Sequence, residues 1–145
     1  GGLLMGASSR AKGAAFENAV ARLLTEASGV KWGRTLFGEV QSYGDVVPKG
    51  PVGAPWDRLF VEAKANSTLK PGHLLKPCDM MLEWWARAQR EAIEVDREPV
   101  LFVRFKGWGV AVVVKDHPDR FLRDSGVWVV ASERWCAFDA EALRP

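Results

Sequence analysis

Residues 79–96 place Met81, Trp85, Ala88, Ala92 and Val95 at helical spacing, and strand-like runs stand on both sides of them. Before this stretch, residues 58–65 (RLFVEAKA) form an apolar run that ends in alternating charge. After it, residues 100–105 and 109–114 are apolar, β-branched runs either side of Lys106-Gly107, the pattern of a hairpin. A second helical pattern covers residues 9–27. Phe16, Val20, Leu23, Leu24 and Ala27 share one face, Ser8 or Ser9 is placed to cap the start, and Gly29 ends it. Shorter strand-like pieces follow at residues 30–36 and 44–47. The connector at residues 48–55 (PKGPVGAP) is rich in proline and glycine. A polar stretch at 66–77 leads into the second helix, and a helical turn at 117–123 precedes a last strand at 127–131. The order helix, three strands, helix, two strands and tail predicts a mixed α/β (α+β) fold, with a central sheet flanked by helices.

At 145 residues the chain is read as one domain over residues 1–145, large enough for a true core. Residues 1–8 are expected to be flexible, with 1–4 read as a cloning remnant before a start at Met5. Residues 116–145 are expected to be a tail packed on the core. Composition is that of an ordinary globular protein, 48% hydrophobic and 26% charged, and the net charge of +2 does not announce a nucleic-acid binder. The first 36 residues, however, carry five cations (Arg10, Lys12, Arg22, Lys31, Arg34) against Glu17 and Glu26. Cys78 and Cys136 fit no metal spacing and read as free thiols. No apolar run approaches the ~18 residues of a membrane span, so a cytoplasmic location with no membrane partner is expected.

Four ionisable residues carry the chemistry: Glu17, Asp45, Glu62 and Lys64. Glu62 and Lys64 fall on one face of a strand. About one Asp/Glu-x-Lys is expected by chance in such a chain, and alone the pair fits an exposed, salt-bridged strand face. Asp45, between Gly44 and Val46-Val47, can hold a turn by an Asx hydrogen bond or mount a ligating carboxylate at a strand end. Glu17 lies beside the apolar stripe of the first helix, with Arg10 two turns earlier on the same flank. Brought together at one sheet edge, three carboxylates repel unless a divalent cation neutralises them. Hard oxygen donors with a nearby ammonium suit Mg²⁺ and phosphodiester chemistry. Other chemistries fit less well: His73 and His117 stand far apart in loops, and neither a Gly-x-Ser-x-Gly elbow nor a Gly-x-x-x-x-Gly-Lys loop is present.

In order and spacing these residues resemble the PD-(D/E)xK nuclease superfamily, and within it the archaeal-type Holliday junction resolvases, the Hjc family. Small resolvases of this size are also phage-encoded. The matching pieces are Arg10-Ala-Lys-Gly13, Glu17, Gly44-Asp45, Val61-Glu62-Ala-Lys64, Gln89 and the run from Pro99 to Lys106. The resemblance implies a restriction-endonuclease-like core in which Asp45, Glu62, the carbonyl of Ala63 and Glu17 hold Mg²⁺, with Mn²⁺ able to substitute. It implies that Lys64 orients the attacking water or offsets charge on the phosphate, and that Gln89 positions water or phosphate. Arg10 and Lys12 would grip the DNA backbone, with Arg34 and Ser42 reaching toward the cut strand. The implied activity is symmetric paired nicking of four-way junctions in branched DNA by a homodimer, in the cytoplasm or a phage host's cytoplasm. A restriction or repair endonuclease acting on another DNA structure, or a non-catalytic DNA-binding module on the same fold, are the alternatives. The proline-rich insert at 48–55 and the tail from Asp116, with Trp128 and Trp135, depart from the family pattern.

Seven tryptophans are many for this length. Trp85 lies on the apolar stripe of the second helix and is assigned to the core. Trp84, ~60° away, is a candidate for dimer contact or for stacking on unpaired bases.

Overall fold

The structure, a computed structural model, describes residues 2–36, 43–122 and 129–143, with side chains from Gly13 onward. The first helix, α1 (Gly2–Ser28), buries Phe16, Val20, Leu24 and Ala27, the stripe expected from the sequence. It ends where Gly29 takes a left-handed conformation and its N–H bonds the Thr25 carbonyl at 2.9 Å. Its start differs from the expectation: the helix runs back through residues 2–8, so Ser8 and Ser9 lie inside it. Leu3, Leu4, Met5 and Ala7 are strong helix formers, and no proline interrupts them.

Two short strands follow, β1 (Trp32–Arg34) and β2 (Val46–Pro48), paired antiparallel with Gly33 opposite Val47. The main sheet begins with β3 (Leu59–Ala65). From there α2 (Asp79–Glu94) crosses over to β4 (Glu98–Phe105), which lies parallel to β3. A tight turn returns the chain as β5 (Gly109–Val114), antiparallel to β4 with Phe102 opposite Val112. The C-terminal segment adds β6 (Val129–Ala131) and β7 (Cys136–Asp139), giving the strand order β3-β4-β5-β7-β6. This is the mixed sheet flanked by helices that the pattern of elements predicted.

The sheet separates two cores. On one face Phe16, Val20 and Leu24 of α1 meet Val61, Ala63, Phe102, Val112 and Phe138. On the other, Met81 and Trp85 of α2 meet Leu101, Val103, Phe105, Val113 and Trp135. β4 therefore contributes to both, which is why Val100 to Val103 reads as a continuous apolar run. Trp85 is core, as assigned, and Trp84 is partly exposed, packed at the edge of the α2 core.

The segment read as a tail is more than packing. β7 inserts between β5 and β6, and Trp135 is fully buried edge-on to Trp85, its indole N–H bonding the Leu74 carbonyl at 3.1 Å. Cys78 and Cys136 are free thiols. No helix among the described residues is long and apolar enough to cross a membrane.

Candidate active site

β3 is an edge strand of the main sheet, and Gly44 bridges to Val61 on its outer side. The approach is very close. Gly44 has φ +105°, and a Cβ there would stand 2.3 Å from the Val61 carbonyl oxygen, so only glycine fits. Asp45 then donates its own N–H to the Val61 carbonyl at 2.7 Å. Its carboxylate Oδ2 accepts the N–H of Ala63 at 2.9 Å. Thr35 secures the turn from behind: its N–H bonds the Asp45 carbonyl at 2.9 Å and its hydroxyl bonds the Gly44 carbonyl. Asp45 is thus fixed to β3 at two points.

The pleat of β3 sends Val61 and Ala63 to the α1 core, and Glu62 and Lys64 to the α2 side. Glu62 is only 8% exposed and is the one buried charged residue among the described residues. Burial pushes its carboxyl up to about 9, helped by hydrogen bonding and charge from Asp45 and by hydrogen bonding to Glu91; Lys64 pulls the other way. Glu91 moves in the opposite direction, held below the usual carboxylate range chiefly by its hydrogen bond from Arg87 at 2.9 Å. Gly44, Asp45, Glu62, Lys64, Arg87 and Glu91 line an open cavity of about 400 Å³.

Glu17 approaches from α1. Burial holds its carboxyl above the usual carboxylate range, and the charge of Asp45 adds to the effect, against the opposing pull of Arg34 and Lys64. Arg34 Nε stands 3.4 Å from Glu17 Oε2. Asp45 is therefore the shared neighbour: its negative charge acts on Glu17 on one side and on Glu62 on the other.

The fit to a metal follows from these residues. Asp45, Glu62, Glu91 and Glu94 line the cavity, and burial drives Glu62, the most buried of them, toward its neutral form. Among the described residues no group of three or more His, Cys, Asp or Glu side chains is gathered tightly enough to hold an ion by itself. Mg²⁺, which keeps several waters and binds through one or two carboxylates plus substrate phosphate, would suit two adjacent carboxyls. Asp45 and Glu62 are the residues that would hold it, with the Ala63 carbonyl on the same strand.

Of the remaining residues expected from the sequence, Gln89 is half-buried on α2 and does not line the cavity. At ~100° per residue it lies ~200° round the helix from both Arg87 and Glu91. Arg34 is engaged with Glu17. Arg10 and Lys12 are on α1 with side chains outside the described residues, and Ser42 lies outside them altogether. Three residues escaped the sequence reading: Thr35, Arg87 and Glu91. For the last two the i,i+4 Arg–Glu spacing on the polar flank of α2 was an available signal.

A search of curated proteins and of solved structures found no match. A family model described as "Phage putative PDDEXK endonuclease" matches residues 8–125, which contain all of the residues just described. The chain belongs to this phage endonuclease family, and so to the nucleases of the PD-(D/E)xK type.

Proposed function

We propose that the protein is a Mg²⁺-dependent endodeoxyribonuclease that nicks branched DNA, with four-way junctions as its substrate and a homodimer as its working form, in the cytoplasm of a phage host. The observation that carries the catalytic part is the double attachment of Asp45 to β3 beside buried Glu62 and Lys64. The junction preference and the dimer rest on the resemblance to the resolvases in the order of Arg10 to Gly13, Glu17, Asp45, Glu62 and Lys64.

The bound metal would supply an acidified water and offset charge on the phosphate. The chain's own residues do the rest. The Ala63 N–H holds the Asp45 carboxylate in one orientation, so no reorganisation is needed when the phosphate arrives. Lys64 has no salt-bridge partner among the described residues, which leaves its ammonium available for a phosphate oxygen or the attacking water. Arg87 holds Glu91 ionised, and this keeps a proton acceptor next to Glu62.

The test is a cleavage panel of labelled four-way junction, linear duplex and single strand, each with Mg²⁺ and with chelator. Paired symmetric nicks in the junction alone support the proposal. Cutting of linear duplex moves the substrate to that of a restriction or repair enzyme. Binding without cleavage under any divalent metal leaves a non-catalytic DNA-binding module.

A further inference from the structure

A second cleft, of about 490 Å³, opens on the α1 face of the sheet, beside the end of β3. It meets the candidate active site at Ala63, whose N–H holds Asp45. Its floor is built from residues with almost no side chain: Gly13 and Ala15 of α1, Ala63 and Ala65 of β3. Its polar groups are Asn66 and Ser67, where β3 runs out, and Arg104 and Lys106 from the end of β4.

The two cations differ from four other arginines of the chain. Arg34, Arg58, Arg87 and Arg120 each pair with a carboxylate. Arg104 and Lys106 have neither an ion pair nor a side-chain hydrogen bond among the described residues. Arg104 is nevertheless held in place, its guanidinium lying 4.5 Å from the centre of the Phe16 ring. Phe16 itself is buried, so the guanidinium covers the ring and turns its donors to the cleft. Ala65 is opposite Arg104 in the β3–β4 register, and Lys106 is two residues further along, roughly 7 Å beyond. Arg104 and Lys106 thus carry positive charge along the α1 face, beside the edge strand whose opposite face carries Lys64. Trp108, 45% exposed at the hairpin tip, packs edge-on against Phe105 of the α2 core.

We propose that this cleft is a subsite for one unpaired nucleotide of the DNA strand beside the cut phosphate. Arg104 and Lys106 take its phosphate, and its base lies against the glycine and alanine floor within reach of Asn66 and Ser67. The inference rests on the nuclease reading above and adds to it where the strand leaves the site. Size favours a nucleotide over a helix: a B-form duplex, whose major groove alone is about 12 Å wide, bridges the mouth of such a cleft and does not enter it. Charge favours a phosphate, since two cations without carboxylate partners are the groups that release counterions on binding.

The experiment is DNA binding by fluorescence anisotropy in chelator, over a range of salt concentrations. The probes are a continuous duplex and the same duplex carrying an unpaired stretch. The proteins are the full chain, its Arg104→Gln/Lys106→Gln variant, Lys106→Gln alone in case loss of the Phe16 contact disturbs folding, and Arg134→Gln as a control. Arg134 is exposed at the opposite end of the sheet from the hairpin tip. The expected result is that the unmodified chain and the control bind the unpaired probe roughly tenfold or more tightly than the duplex. The double variant loses that preference, and its salt slope on the unpaired probe falls by about 2. If the unmodified chain shows the preference and both variants keep it, the subsite is overturned and the nuclease reading stands. Equal loss on both probes also overturns it, since the cations would then be gripping backbone in general. If the unmodified chain binds neither probe, the nuclease reading fails and the subsite with it.

Discussion

The Asp45 carboxylate accepts the backbone N–H of Ala63 at 2.9 Å, so a residue from the loop before β2 is fixed onto the middle of the edge strand that carries Glu62 and Lys64. This bond joins two parts of the sequence that are eighteen positions apart. It explains why Gly44, Thr35 and Asp45 act together: the glycine allows the close approach, the threonine holds the turn and the aspartate uses it.

Gly44→Ala is expected to destabilise the fold. At φ +105° any side chain is strained, and the new Cβ meets main-chain atoms of β3 that cannot rotate away. A loss of about 2 kcal/mol or more is expected in urea unfolding. A change within about 0.5 kcal/mol would mean that Gly44 does not approach β3 this closely.

Thr35→Val removes the hydroxyl that bonds the Gly44 carbonyl while keeping the side-chain shape. A stability loss of about 1 kcal/mol is expected, with a larger proportional fall in nuclease activity because the turn that aims Asp45 loosens. Loss of stability with full specific activity would show that Thr35 has only a structural role.

The metal-free protein should lose stability as pH rises. In the fold the Glu62 carboxyl is pushed up from 4.5 to about 9. Its contribution is therefore fully present below about pH 4.5 and declines as pH rises toward 9, where the folded state gives up a proton that the unfolded state has already lost. The slope from one such group approaches ~1.4 kcal/mol per pH unit. Thermal melts in chelator from pH 5 to 9 would read it, and Glu62→Gln should flatten the curve. An equal slope in the variant would place the effect elsewhere.

Mg²⁺ should reverse that trend. A cation bound by Asp45 and Glu62 takes the place of the proton, so added Mg²⁺ should raise Tm more at pH 8 than at pH 6. At a hundred times its dissociation constant the gain is about 2.7 kcal/mol. The Glu62→Gln protein should show little of it. An equal rise in that variant would locate the metal away from this pair.

How far the sequence revealed all this depended on element length and on chain separation. α2, β4 and β5 were legible because each repeats its period over many residues: Met81, Trp85, Ala88 and Ala92 on one face, and Val100 to Val103 as a run buried on both. β7 was not. Cys136 to Asp139 is four residues long, and it becomes a strand only because β5 and β6 stand on either side to pair with it. The start of α1 was misjudged because two serines resemble a cap wherever they precede an apolar stripe. The apolar strand that carries Glu62 and Lys64 and the glycine before Asp45 were visible as local pattern. The Arg87–Glu91 spacing was legible on α2, but that the crossover brings Glu91, and the β1–β2 pair Thr35, against β3 is encoded by no local pattern. Gln89 illustrates the converse, a position matched in order along the chain that α2 turns away from the cavity.

The most direct measurement is the rate of DNA cleavage with Mg²⁺ by the unmodified chain and by Asp45→Asn. The substitution keeps an acceptor for the Ala63 N–H while removing the charge, so folding should be unchanged. The account predicts metal-dependent cleavage by the unmodified chain and a loss of about a thousandfold or more in the variant, the scale on which removal of key electrostatic groups acts. Cleavage by a folded Asp45→Asn protein at an undiminished rate would contradict it, and would place the hydrolytic centre elsewhere on the molecule.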